Sequence, residues 1–387
     1  MPGFHAMSLR RPAAVLTSAL ALSGTLTCAA APAQASASPT QTAVVSMGDS
    51  FISGEAGRWQ GNSNTQSGSR NGTDRAYNGK SYDPTTVYGG TYSSGCDRSD
   101  SAEVLSATGI ADVAINLACS GATTGNVIRA ASGGESLNGE RPQADQLATV
   151  AAQYRVKLIA LSIGGNDLGF SDVITNCVED YSLLYSYCHD DQGEKVDQRM
   201  DSAMAGVAKS VQEIRSVMWS AGYASGDYRI VLQSAPSPIP RGSEIRYAQS
   251  GWSRLTTGGC PFWNRDADWA RDEFIPEYAA EVRAVAESEG VQFLDLQDML
   301  QGREVCAKAT RLATSSQGPS ATTSEWARFL VSGAAQGTLQ ESFHPNYYAQ
   351  RALGRCLGLI HAQPTGDYAC RNTAGKDESG MYLTSVA

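Results

Sequence analysis

The stretch Ala43-Val44-Val45-Ser46-Met47-Gly48-Asp49-Ser50-Phe51-Ile52-Ser53-Gly54 decides the fold. Residues 43–47 read as a short buried strand, broken by Gly48, with a helical turn expected to follow. A serine just past a strand and at a helix start is exposed at the sheet edge, where free backbone amides favour negative charge. Ser50 therefore reads as a nucleophile, although Ser or Asp at such a turn also serves as a helix N-cap.

Working outward, the same unit recurs. Short apolar strands are predicted at 113–117, at 158–163 (ending in Gly164-Gly165), at 230–232 (closed by the turn region 236–240) and at 291–294. Helical spacing occupies 100–107, 143–154 with Pro142 near its first turn, 195–219, 267–287 with Pro276 set to kink or split it, and 347–360. Strands alternating with helices predict an α/β fold built on a mostly parallel, five-stranded sheet. A Gly/Ser/Asn/Tyr-rich stretch over 61–95 lacks periodicity and reads as an ordered loop over the site. Residues after His361 read as a polar tail pinned through Cys370. No repeat or linker divides 36–387, which is read as one domain.

Three further segments lie at strand ends or in loops beyond the sheet. They are Ala118-Cys119-Ser120-Gly121-Ala122-Thr123-Thr124, Ser162-Ile163-Gly164-Gly165-Asn166-Asp167 and Ser342-Phe343-His344-Pro345-Asn346. The carboxyl ends of parallel strands share one rim, so these segments can converge on Ser50. Acyl transfer needs a base for the serine proton and donors for the oxyanion. His344 suits the base. Of four histidines, His5 lies in the leader, His189 beside Cys188 in a short cross-linked loop, and His361 at a helix end. The Ser50 and Gly121 N–H groups and the Asn166 amide suit the oxyanion donors. Singly, Gly121 reads equally as a turn glycine and Asn166 as an Asx turn. Asp49 and Asp167 read as structural acids fixing their turns.

The chain has 387 residues, 42% of them apolar, and a formal net charge of -9. That charge argues against a nucleic-acid partner, which would need a basic face. Residues 1–35 read as a secretory signal peptide: Arg10 and Arg11, an apolar run over 13–26, then Ala33-Gln34-Ala35 as cleavage site, with the mature chain starting at Ser36. No later stretch is apolar enough for a transmembrane helix. Of nine cysteines, Cys28 leaves with the leader. The other eight, Cys96, Cys119, Cys177, Cys188, Cys260, Cys306, Cys356 and Cys370, imply disulfides in an exported protein. Sequence leaves the connectivity open, and neighbour-with-neighbour pairing is the simplest choice. No Cys/His spacing suits a metal, and the chemistry calls for no cofactor.

The four segments resemble the blocks of the GDSL, or SGNH, hydrolase superfamily, and the leader and cysteines resemble its extracellular actinobacterial members. The resemblance rests on Gly48-Asp49-Ser50, Gly121, Gly164-x-Asn166-Asp167 and His344-Pro345. It implies a flavodoxin-like three-layer α/β/α fold, Ser50 as nucleophile, Gly121 and Asn166 as oxyanion partners, and His344 as base. One position departs from the pattern. The family usually carries Asp three residues before the histidine, where this chain has Glu341. Glu341 is a candidate to orient His344, with a backbone carbonyl as the alternative. The expectation is a secreted, monomeric serine ester hydrolase acting on lipid or short-chain esters. A carbohydrate deacetylase, a transacylase and a silent binding protein are the competing readings. Aromatics at Trp59, Tyr77, Tyr82, Tyr88, Tyr92, Trp252, Phe262, Trp263 and Trp269 could line a substrate groove, but mostly read as loop packing.

Overall fold

β1 (Thr42–Gly48) lies between β2 (Val113–Asn116) and β3 (Arg155–Ser162), parallel to both. β4 (Arg229–Gln233) and β5 (Gln292–Asp295) continue the parallel sheet beyond β3. This computed structural model describes residues 40–65, 72–184, 186–331 and 337–386. The expected leader and its cleavage point at Ser36 lie outside the described residues. Residues Pro39–Ala387 cluster as one compact unit.

The first five strands run in the order β2-β1-β3-β4-β5. This is the flavodoxin-like order, with its crevice beyond the carboxyl ends of β1 and β3. The sheet does not stop at five strands. The predicted polar tail supplies β6 (Tyr368–Arg371), parallel to β5, and β7 (Tyr382–Ser385), antiparallel to β6. Both are four-residue strands at one end of the sheet with polar residues among their apolar ones, so they carry little of the continuous hydrophobicity that marks central strands.

The chain leaves β1 in one direction across the sheet for β2, then crosses back to β3. Right-handed crossovers therefore put the β1–β2 connection on one face and the next three on the other. The helices Gln143–Gln153, His189–Ser220 and Ile275–Glu289 pack together on that second face. On the first face Tyr347–His361 packs on the single helical turn Glu103–Ser106. Pro276 splits the predicted 267–287 helix. Asn264–Trp269 ends in a wide turn over Ala270–Phe274, and a second helix starts at Ile275 with the proline in its first turn, where a missing N–H costs nothing. The helix expected over 100–107 shrinks to Glu103–Ser106. A helix over Phe170–Leu183 is present that the sequence reading did not anticipate.

β3 is buried from Leu158 to Ser162 and forms the centre of a core spanning both faces. The four disulfides take the neighbour pairing: Cys96–Cys119, Cys177–Cys188, Cys260–Cys306 and Cys356–Cys370. Each joins cysteines 11 to 46 residues apart and restricts the unfolded chain, contributing roughly 2–4 kcal/mol. Cys96–Cys119 ties the long loop after β1 to the turn that carries Gly121. Among the described residues no helix is long and apolar enough to cross a membrane.

Candidate active site

Gly48 ends β1 with φ +135° opposite Ser162 in the β1–β3 register. A Cβ there would run into the Ser162 carbonyl oxygen, so glycine is required for the strand ends to close together. The Gln143 amide fastens the bend, accepting from Gly48 N at 2.7 Å and donating to its oxygen at 2.8 Å. Asp49 caps the following turn, its Oδ1 accepting from Phe51 N at 3.1 Å. The result places Ser50 as the first residue of the turn Ser50–Ser53, with its hydroxyl at the crevice.

The His344 loop is held as firmly. Asn346 caps the helix Tyr347–His361, its Oδ1 accepting from Tyr348 N at 3.0 Å and its Nδ2 donating to Glu325 O at 2.8 Å. Arg328 N donates to His344 O at 2.9 Å, and Phe343 N to Arg328 O at 2.7 Å. Phe343 sits at φ +63°, a left-handed conformation uncommon for a bulky residue and a form of strain found at functional sites.

These two loops bring His344 Nε2 to 2.7 Å from Ser50 Oγ. The opposite ring nitrogen, Nδ1, lies 3.1 Å from the Ser342 carbonyl oxygen. A carbonyl only accepts, so Nδ1 carries the proton and Nε2 presents its lone pair to the serine hydroxyl. Burial pushes the His344 pKa down to about 4, although the side chain keeps 16% exposure toward the crevice. The imidazole is therefore neutral, as a base must be, through the whole neutral range.

Ser50, Gly121, Asn166 and His344 line one cavity of about 670 Å³. Gly121 is exposed at φ +80° with open space where a Cβ would project, so it leaves its backbone accessible. Asn166 Nδ2 donates to Ala122 O at 2.8 Å, which fixes the amide and leaves its second N–H for another acceptor. Asp167 accepts from Thr124 N at 3.0 Å and Thr124 Oγ1 at 2.6 Å, joining the turns after β2 and β3 as its structural reading implied.

Glu341 takes a different place from the one expected. Its carboxylate accepts from Tyr88 OH at 2.9 Å and Thr338 N at 3.1 Å, with Arg58 Nη1 at 3.9 Å. It is buried behind the cavity wall and does not meet the imidazole; the Ser342 carbonyl does. The reason is local. A 3-10 turn over Leu339–Glu341 directs the glutamate back to cap Thr338, while the chain runs on to present Ser342 O to the ring.

Sequence reasoning missed Glu55. It is buried beside the cavity, accepts from the Ser120 hydroxyl, and has Oε2 3.8 Å from His344 Nε2. Its only signal was its position five residues after Ser50, which does not separate a buried acid from a surface one. The loop aromatics divide as expected: Trp59, Tyr88 and Phe262 are buried packing residues, Tyr77 stacks on Tyr82, and Trp252 is exposed.

The GDSL-like lipase/acylhydrolase family model matches residues 46–352. The chain belongs to that family. It is accordingly a carboxylic ester hydrolase. Among solved structures it is similar to an extracellular lipase from Streptomyces rimosus (21% identity over 83% of this chain and 100% of that one, TM-score 0.45). It is also similar to phospholipase A1 from Streptomyces albidoflavus (20% identity, 83% and 99% covered, TM-score 0.44) and to an aryl esterase from M. smegmatis (14% identity, 82% and 96% covered, TM-score 0.31). No curated protein matches the chain.

Proposed function

We propose that this family member is a secreted serine ester hydrolase working through an acyl-serine intermediate. The observation that carries the reading is the 2.7 Å contact between Ser50 Oγ and His344 Nε2, with the imidazole tautomer set by Ser342 O. Ser50 attacks the ester carbonyl carbon as His344 takes its proton. The oxyanion is received by the N–H groups of Ser50 and Gly121 and by Asn166. His344 returns the proton to the departing alcohol, and water then repeats the sequence on the acyl-enzyme. The Ser342 carbonyl, rather than Glu341, orients the base.

The cavity walls favour an acyl chain over a sugar. Phe51, Phe170, Ile174, Val178, Leu339 and Phe343 contribute apolar surface to the cavity that Ser50 opens into. An apolar side pocket behind Phe51 and Phe343, of about 50 Å³, extends it by little, which favours short or medium acyl groups. Four disulfides suit an oxidising compartment and support secretion.

The test is hydrolysis of p-nitrophenyl acetate, butyrate and palmitate by the oxidised protein alongside Ser50→Ala. Activity with a short-to-medium preference that disappears in Ser50→Ala is expected. Activity that survives Ser50→Ala overturns the mechanism. Release of product only with an added alcohol acceptor would make the protein a transacylase.

A further inference from the structure

Glu55 is 1% exposed and follows the nucleophile turn directly. Its Oε2 accepts from Ser120 Oγ and stands 3.8 Å from His344 Nε2, while its Oε1 has no hydrogen-bond partner among the described residues. A buried carboxyl oxygen without a partner usually calls for a functional explanation. The other ring nitrogen, Nδ1, meets a carbonyl, which offers a dipole but no countercharge to an imidazolium.

We propose that Glu55 is a positioning residue for the base, its carboxylate stabilising the His344 imidazolium from the Nε2 side as Ser50 gives up its proton. The inference rests on the serine-hydrolase reading above. As the Ser50 Oγ–carbon bond forms, the Ser50 proton moves to Nε2 and the carbonyl electron pair moves onto oxygen. The positive ring then lies beside Glu55, and the proton passes on to the departing alkoxide. Ser120 fits the same design, since its hydroxyl holds Oε2 in place and its neighbour Gly121 is an oxyanion candidate.

The groups around Glu55 are mostly acidic or neutral. They are Asp49 and Ser50 before it, Asp97 and Tyr88 from the long loop, and Glu341 from the histidine loop. Arg58 is engaged with Asp74 at 2.6 Å. Burial, opposed by the Ser120 hydrogen bond and reinforced by Glu341, pushes the Glu55 pKa up to about 8. Below that pH the residue is neutral and the imidazolium has no countercharge beside Nε2, the Glu341 carboxylate acting on the ring without touching it. Above it the carboxylate forms, so the rate should climb as pH rises through the Glu55 pKa, with His344 neutral throughout.

The experiment is the rate of Ser50 modification by a fluorophosphonate, and of p-nitrophenyl butyrate hydrolysis, from pH 5 to 10. It compares wild type, Glu55→Gln, Ser120→Ala and the Ser50→Ala blank, each checked for folding by circular dichroism. Wild type should gain about tenfold or more across the alkaline limb. Glu55→Gln should lose that limb with KM little changed. Ser120→Ala, having lost the bond that favours the ionised acid, should show it at higher pH. A folded Glu55→Gln that keeps the wild-type limb overturns the proposal and leaves the serine mechanism standing. A wild type with no Ser50-dependent modification at any pH overturns both.

Discussion

At the scale of single residues the site divides its work between atoms a sequence names and atoms it does not. Ser50 and His344 meet directly, but the group that meets the far ring nitrogen of His344 is the backbone oxygen of Ser342. The consequence is testable at Glu341. Glu341→Gln should cost roughly 1–3 kcal/mol of stability, because it weakens buried contacts to Tyr88 and Arg58. It should leave kcat within about tenfold of wild type. Denaturant unfolding beside steady-state kinetics reads both, and a collapse of kcat with unchanged stability would return Glu341 to the role of orienting acid. Asn166→Ala should behave in the opposite way, lowering kcat by roughly 10²–10³-fold through loss of an oxyanion donor. Its KM and unfolding midpoint should stay close to wild type. A kcat within threefold of wild type would remove Asn166 from the oxyanion site.

At the scale of elements, short strands deliver their carboxyl ends to one rim, and the turns beyond them line the cavity. β1 is the strand on which this depends, since its neighbours β2 and β3 bring the Gly121 and Asn166 turns to either side of Ser50. Gly48 is the weak link. Gly48→Ala would combine a disallowed φ with a clash against Ser162, so the variant should fail to accumulate as folded protein or lose activity by displacing Ser50. Native-like yield and kinetics from Gly48→Ala would contradict that account. The Cys96–Cys119 bridge works on the same rim by holding the long loop against the turn before Gly121. Replacing both cysteines with serine should lower stability by roughly 2–4 kcal/mol, measured as a shift in the unfolding midpoint without reductant.

For the whole molecule, five acids are buried or half-buried with pKa values raised to about 7 or 8. Burial lifts Asp49, Asp97 and Glu103 to about 7 and Glu55 and Glu304 to about 8. A carboxyl with a raised folded-state pKa keeps a proton that the unfolded chain has already released. Its contribution is complete below about pH 4 and is lost as pH rises through the folded value. The protein should therefore unfold at a temperature several degrees higher at pH 5 than at pH 8.5. His344 opposes this from about pH 6.5 downward, because the unfolded chain takes up a proton that the buried imidazole refuses until about pH 4, but it is one group against five. A melting temperature that rises from pH 5 to 8.5 would show that these acids are not buried as described.

The sequence by itself determined the alternation of strands and helices, the positions of Ser50, Gly121, Asn166 and His344, and a cysteine set whose simplest pairing is the one formed. These are local matters. Hydrophobic runs, turn glycines and small loop closures are written in neighbouring residues, and parallel topology then brings strand ends together. It did not determine what surrounds those residues. Whether Glu341 or Ser342 O meets Nδ1 depends on the path of a single 3-10 turn. That Glu55 is buried against the histidine depends on Ser120 and on a loop arriving from more than 280 residues away in the chain. The strands β6 and β7 extend the sheet beyond β5 with few apolar residues of their own, by backbone pairing along its open side. Burial and partnership are properties of the packed chain, and only the tertiary structure decides them.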